Sequence, residues 1–149
     1  MITFQKESWI DLLPELPAIF LAHWEEVALE RTVIPLEPDW ERYSRMDLEG
    51  VSHMLTVRDD GILVGYYHAI VMPHLHYRSS KTAWSDLIYL HPEYRKGLTG
   101  YKMLKHAEKM LKDLGVQRSY LMTKAHLPIN ILMKRLKYRL VERTFTKLL

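Results

Sequence analysis

The chain contains no cysteine, and that single absence excludes disulfides, thiolate metal sites and an acyl-cysteine intermediate. Any acyl transfer it performs is direct or uses another nucleophile. Long apolar runs are missing too. Nothing approaches the roughly 20 residues of a membrane span, and no basic stretch precedes an apolar signal core at the N-terminus, so the expected location is the cytoplasm. Two nucleotide signatures are also absent from a chain with only 6 glycines. A P-loop needs four residues between its glycines and then Lys-Ser or Lys-Thr, and the dinucleotide fingerprint needs three glycines with an acid about 20 residues on.

What is present suits one domain over residues 1–149, since 149 residues at 48% hydrophobic suffice for a two-layer core. Charge is divided unevenly. Residues 95–149 hold 14 Lys or Arg against 3 Asp or Glu, a formal +11, and residues 1–94 hold 7 against 15, a formal −8. A basic C-terminal half suits a ligand with phosphates, and it equally suits a nucleic-acid backbone. Lysines along a helix 101–114 also read as a solvated face.

Periodicity predicts a single alternating α/β pattern without linker or repeat. Residues 2–7 read as a strand, and Leu13, Leu16, Ile19, Phe20, Trp24 and Val27 recur at helical spacing across 12–30. Asp39 reads as the N-cap of a short helix closed by Gly50. The runs VSHMLTV and ILVGYYHAIVM flank Asp59-Asp60-Gly61, a hairpin signal. A strand 82–90, a helix 99–114, a strand 118–123, a helix near 128–136 and a terminal strand around 138–148 complete a mixed sheet with helices on both faces.

The most informative stretch is LHPEYRKGLTGYKMLKHAEKMLKDL, residues 90–114, where a strand leads through a basic glycine turn into an amphipathic helix. Gly97 and Gly100 let the turn aim several N–H groups at one anion, beside the helix N-terminus and the charges of Arg95 and Lys96. In its frame of Arg95, two residues, one more pair and Gly100, the turn resembles the acyl-CoA pyrophosphate loop of the GCN5-related N-acetyltransferases, with Leu98 at the usual middle glycine and Gly97 one place early. SDLIYLHPEYR upstream is similar to that family's central strand, and LMKRLKYRLVERTFTKLL downstream to its closing helix and final strands. HWEE at 23–26, PDWERY at 38–43 and PHLHY at 73–77 look like the small acetyltransferase-like proteins of tailed bacteriophages.

The resemblance implies a mixed, mostly antiparallel sheet of about six to seven strands, acetyl-CoA as acyl donor, and direct attack by an amine. The cofactor would be held by Ile88, Tyr89 and Leu90, pairing with the pantetheine arm like an added strand, and by Arg95, Lys96, Gly97, Leu98, Thr99 and Gly100 around the pyrophosphate. Such chemistry needs a base, a polarised carbonyl and a proton for the departing thiolate. Asp86, a carboxylate on an otherwise apolar strand at the position of the family's acidic residue, is the expected base, with a pKa raised by partial burial. The same residue also reads as a structural partner of a neighbouring Arg or His. His74 and His76 share a face of the PHLHY loop, the former as an acceptor-site residue and the latter as a relay to Asp86. They are also a conceivable metal pair, but no third ligand is evident and no metal is expected. His23 and Glu26 are expected at the acceptor site, with Glu25 and Glu26 alternatively a solvated helix face. Met133 stands where relatives carry a thiolate-protonating tyrosine, which leaves water, Tyr138 or His126 as proton source, and the resemblance also places His126 at the cofactor.

Partners implied are a small-molecule or protein amine, with no membrane, nucleic acid less favoured, and a homodimer compatible with the architecture. Three other readings stand beside the enzyme: a catalytically silent interaction module, a nucleic-acid modifier or binder, and a virion component that retains the fold.

Overall fold

Turn chemistry sets the centre of the sheet. Asp60 and Gly61 both take positive φ, 47° and 87°, as a two-residue hairpin turn requires, and they join β2 (Ser52–Asp59) to β3 (Ile62–His74). β1 (Ile2–Glu7) adds antiparallel to β2, and β4 (Tyr77–Leu90) adds antiparallel to β3. The computed structural model describes every residue from Met1 to Leu149. β5 (Arg118–Tyr120) closes the order β1-β2-β3-β4-β5, parallel to β4.

Helices cover both faces, as the periodicity predicts. On one face lie α1 (Trp9–Leu12), α2 (Leu16–Val27) and α3 (Trp40–Leu48). The predicted helix 12–30 is shortened to Leu16–Val27, with α1 a separate turn ahead of it, because Pro14 supplies no N–H for a continuous ladder, and Pro17 is tolerated in the first turn of α2. Asp39 caps α3 by accepting from the Arg42 N–H at 2.9 Å. This face buries Trp9, Leu12, Leu16, Phe20, Met54, Tyr66 and Tyr89 together. Alternate residues of the same strands, Leu55, Val57, Tyr67 and Ala69, point the other way. There they meet Met103, Leu104, Ala107, Met110 and Leu111 of α4 (Thr99–Asp113), one apolar stripe at i, i+1, i+4, i+7 and i+8.

Five strands form the sheet rather than the expected six to seven. The missing one is the terminal strand: after α5 (Asn130–Arg135), residues 139–149 are exposed throughout and join no ladder, so nothing satisfies them as a strand. β5 is also short, stopping at Tyr120 where a strand to 123 is predicted, since Met122 gives its N–H to the Ser85 hydroxyl at 2.7 Å instead of continuing the ladder. Beyond that point the β5-side edge of β4 is open. No helix is long and apolar enough to cross a membrane.

Candidate active site

An irregularity in β4 aims the acidic residue of interest. His68 pairs with Leu87 and Ala69 with Ser85, so Asp86 is an extra, bulged residue. The bulge puts Asp86 on the α1–α3 face beside Leu87, whose side chain packs into that face's core. Both hydrogen bonds to the carboxylate go to Oδ2, from the Tyr43 hydroxyl at 2.9 Å and from His68 Nδ1 at 3.0 Å. Oδ1 accepts nothing from the protein, and the side chain is 34% exposed.

Behind Asp86 the network continues inward. His68 Nε2 lies 2.6 Å from the Ser52 hydroxyl, which accepts from the Trp9 indole N–H at 2.7 Å. Ser52, His68 and Trp9 are all fully buried. Hydrogen bookkeeping fixes the tautomer, because Ser52 has one proton and no other acceptor: it donates to Nε2, and neutral His68 donates through Nδ1 to Asp86. A doubly protonated ring would strand the Ser52 proton. Desolvation pushes the Asp86 carboxyl up, but donation from His68 and Tyr43 outweighs it and holds the group below the ordinary carboxylate value. The expectation of a raised pKa is thus reversed, and the reason is the two donors that burial brings with it. Burial and the adjacent Asp86 charge push the Tyr43 phenol well up, so it remains a donor.

Asp86 forms part of the wall of a cavity of about 450 Å³ between α2, α3, the connecting loop and β4. Phe20, Trp24, Val27, Leu36, Met46 and Leu87 supply apolar wall, with Arg42, Glu37 and Asp39 the other charged lining residues. His23 lines the same cavity, and its Nδ1 lies 2.8 Å from the Tyr66 hydroxyl. Burial depresses its pKa to about 4, leaving a neutral imidazole whose Nε2 makes no hydrogen bond within the protein.

At the far end of β4, a 3-10 turn at Pro92–Tyr94 and Gly97, with φ of 74°, carry the chain into α4. None of the backbone N–H groups from Lys96 to Tyr101 is hydrogen-bonded within the protein. They therefore form a run of free donors at a helix N-terminus, including Lys96, Gly97, Leu98, Thr99 and Gly100. Lys96 is exposed and makes no ion pair. Gly100 is helical, and an added Cβ would meet only Leu132 and Leu90 side chains at 3.9 Å, so Gly97 alone is conformationally required here. Arg95 does not point its charge at the turn. A bidentate pair to Glu26, at 2.7 and 2.5 Å, and donation from Nε to the Leu90 carbonyl at 2.7 Å claim the guanidinium. Two residues expected in separate subsites, Glu26 and Arg95, thus neutralise each other. Since His91 donates to Val64 across the sheet, alternation turns the backbone groups of Ile88 and Leu90 toward the open edge, and the Leu90 carbonyl is already occupied. The Tyr89 side chain lies on the α2 side, with its ring 5.0 Å from His23.

Asp86 and His23 therefore share one cavity, whereas His74, His76 and His126 do not line it. His74 Nδ1 accepts the backbone N–H of His76 at 3.1 Å and its ring stacks on Trp84, while the His76 imidazole makes no hydrogen bond to Asp86, so the relay from His76 to Asp86 is not formed. His126 is exposed on the loop before α5. Met133 packs against the core on the α4 face. His68, Ser52, Trp9 and Tyr43 were not singled out by sequence. A signal existed for His68: a polar ring at period two from Tyr66 in an apolar strand demands a buried partner.

Residues 11–135 match the model of the acetyltransferase (GNAT) family. The amino-acid acetyltransferase of Vibrio cholerae serotype O1 is 31% identical over 83 residues, 55% of this chain. The match spans 18% of that relative's length. A GCN5-related N-acetyltransferase from Ralstonia eutropha superposes with a TM-score of 0.79 at 14% identity, covering 99% of both chains. A predicted acetyltransferase with acetyl-CoA from Clostridium acetobutylicum gives 0.69 at 9% identity, over 99% of this chain and 96% of that one. An aminoglycoside acetyltransferase from a soil metagenome, in complex with sisomicin, gives 0.73 at 12%, over 99% and 94%. At these identities the structural likeness is one of fold.

Proposed function

The chain belongs to the GNAT acetyltransferase family, and from that premise we propose that it moves an acetyl group from acetyl-CoA directly to a primary amine. The observation that carries this reading is the run of free N–H groups from Lys96 to Tyr101 at one end of an open-edged strand whose other part holds Asp86 in a cavity. These residues fit the donor: six consecutive amides suit a pyrophosphate, and the edge-facing backbone of Ile88 with the Leu90 N–H suits an extended amide-bearing arm. Bound there, acetyl-CoA supplies the acetyl group activated as a thioester.

The protein's own share is electrostatic and acid–base. Asp86, held ionised by His68 and Tyr43, offers Oδ1 to the acceptor ammonium. His23 faces the same space as a neutral donor, because the buried Tyr66 hydroxyl has no acceptor but Nδ1 and so leaves the hydrogen on Nε2. The ammonium gives one proton through Asp86 Oδ1 to water, the free amine forms the C–N bond as the C–S bond breaks, and its second proton reaches the thiolate through water. A carboxylate held below its ordinary value is a weak base, so Asp86 positions the ammonium and hands its proton on to water. Among the expected proton sources Met133 cannot donate and neither Tyr138 nor His126 lines the cavity, so the departing thiolate draws its proton from water, as a good leaving group can. The narrower resemblance to phage proteins rests on HWEE, PDWERY and PHLHY alone.

Calorimetric titration with acetyl-CoA, free CoA and dephospho-CoA tests the reading. Micromolar binding of acetyl-CoA is expected; no binding at low salt would remove the donor and with it the transferase.

A further inference from the structure

We propose that the acceptor is a small primary monoamine with an apolar body, its one ammonium on Asp86 Oδ1 and its hydrocarbon filling the cavity between α2, α3 and β4. The word acceptor rests on the transferase reading, while the binding claim rests on the cavity.

Volume and lining set the class. About 450 Å³ lies within the range of small-molecule pockets, and 8 of the 15 lining residues are hydrophobic. Phe20, Val27, Pro35, Leu36, Ile70 and Leu87 offer no side-chain hydrogen bonds, and Trp24 adds a single indole N–H. A polyhydroxylated polycation placed against them would lose water from its hydroxyls and extra ammonium groups without replacement, a cost repeated for each group. A hydrocarbon chain gains from the same walls.

Charge sets the number of ammonium groups. Asp86 is the partly buried carboxylate of the cavity, with a free Oδ1. Glu37 and Asp39 also line it but are exposed at the rim, where the Arg42 guanidinium, in no ion pair, opposes a second cation. The neutral imidazole of His23 adds no repulsion. One partly exposed anion beside an apolar wall, with the exposed charges of Glu37, Asp39 and Arg42 opposing one another, selects one cation followed by hydrocarbon.

The test is calorimetric binding of propylamine, butylamine, pentylamine and hexylamine, with spermidine and kanamycin as polycations, with and without CoA. Affinity should rise roughly fourfold per methylene, and Asp86→Asn should weaken hexylamine about ten- to a hundredfold. Leu36→Glu, on the connecting loop, should weaken hexylamine and favour 1,6-diaminohexane, which keeps the idea testable if Asp86→Asn unfolds. A flat series, or spermidine or kanamycin binding more tightly than hexylamine, would overturn the assignment. Alkylamine binding as expected without any acetyl-CoA binding would support the cavity assignment and defeat the transferase. Acetyl transfer confined to polycations would do the reverse.

Discussion

Replacing Ser52 by alanine removes one oxygen and strands two buried groups. The Trp9 indole N–H loses its acceptor at 2.7 Å, and His68 Nε2 loses its donor at 2.6 Å. All three side chains are inaccessible to solvent, so water cannot step in without local opening. An unsatisfied buried donor or acceptor costs about 1–3 kcal/mol, so Ser52→Ala, stranding two, should destabilise the fold by about 2–6 kcal/mol. That is a large part of a typical stability of about 5–15 kcal/mol. With a urea slope of about 2 kcal/mol/M, the unfolding midpoint should fall by about 1–3 M at unchanged slope. Ser44→Ala on α3, which loses no side-chain hydrogen bond, is the control and should stay within about 0.5 kcal/mol. There is a second readout. With Nε2 released, His68 is free to tilt, Asp86 loses a donor, and its carboxyl moves back up, so the acid limb of amine binding should shift to higher pH. A midpoint displaced no more than that of Ser44→Ala would refute the relay from Trp9 to Asp86.

Four further outcomes are expected. Asp86 has a folded pKa below its unfolded value near 3.8, so it contributes stability above that value and loses it as pH falls through the lower folded one; Asp86→Asn should therefore flatten acid unfolding below about pH 4, measured by circular dichroism. His23, with a pKa of about 4, should keep its neutral C2–H NMR shift down to pH 5, and a midpoint near 6.5 would refute its burial. Gly97→Ala forces a side chain into φ of 74° and should cost about 1–2 kcal/mol, while Gly100→Ala, with no contact closer than 3.9 Å, should gain about 0.5–1 kcal/mol in a helix; equal melting shifts for the two would contradict the turn. Glu26→Gln breaks a partly exposed ion pair worth less than about 1 kcal/mol and frees Arg95, so acetyl-CoA affinity should rise with a steeper salt dependence; unchanged calorimetric affinity would mean that Arg95 stays on Leu90.

Local rules made much of the fold legible. Asp60-Gly61, the Asp39 cap, the stripe from Met103 to Leu111 and the strand–turn–helix around Gly97 each follow from spacing or backbone chemistry. What was not legible depends on long-range pairing. A run such as RLVERTFTKLL alternates well enough for a strand, but without a neighbouring edge it joins no ladder, and sequence does not show that edge. The site divides the same way. Asp86 and His23 stand out locally as polar groups in apolar company, but the bulge that re-aims Asp86 is a register property of β3 against β4. Ser52 and His68 are 16 residues apart and Tyr43 and Asp86 are 43 apart, so their union needed the folded sheet.

Ser52, His68 and Asp86 follow the hydrogen-bond order of a nucleophilic triad, serine to imidazole to carboxylate, yet exposure inverts their use. In a hydrolytic triad the hydroxyl meets the substrate and the carboxylate lies behind the ring. Here the hydroxyl is sealed beneath Trp9 and the carboxylate faces the cavity. Attack by Ser52 is therefore closed off sterically and by its hydrogen bond to the indole. The polarity of the chain runs outward: each proton is donated toward Asp86, so the network concentrates hydrogen bonds on one oxygen and leaves the other to an incoming cation. The cysteine-free composition and the inverted triad lead to the same chemistry. With no thiol available and the buried serine withheld, neither of those protein nucleophiles serves the site, which accords with the proposed transfer to an amine held at Asp86 beside neutral His23.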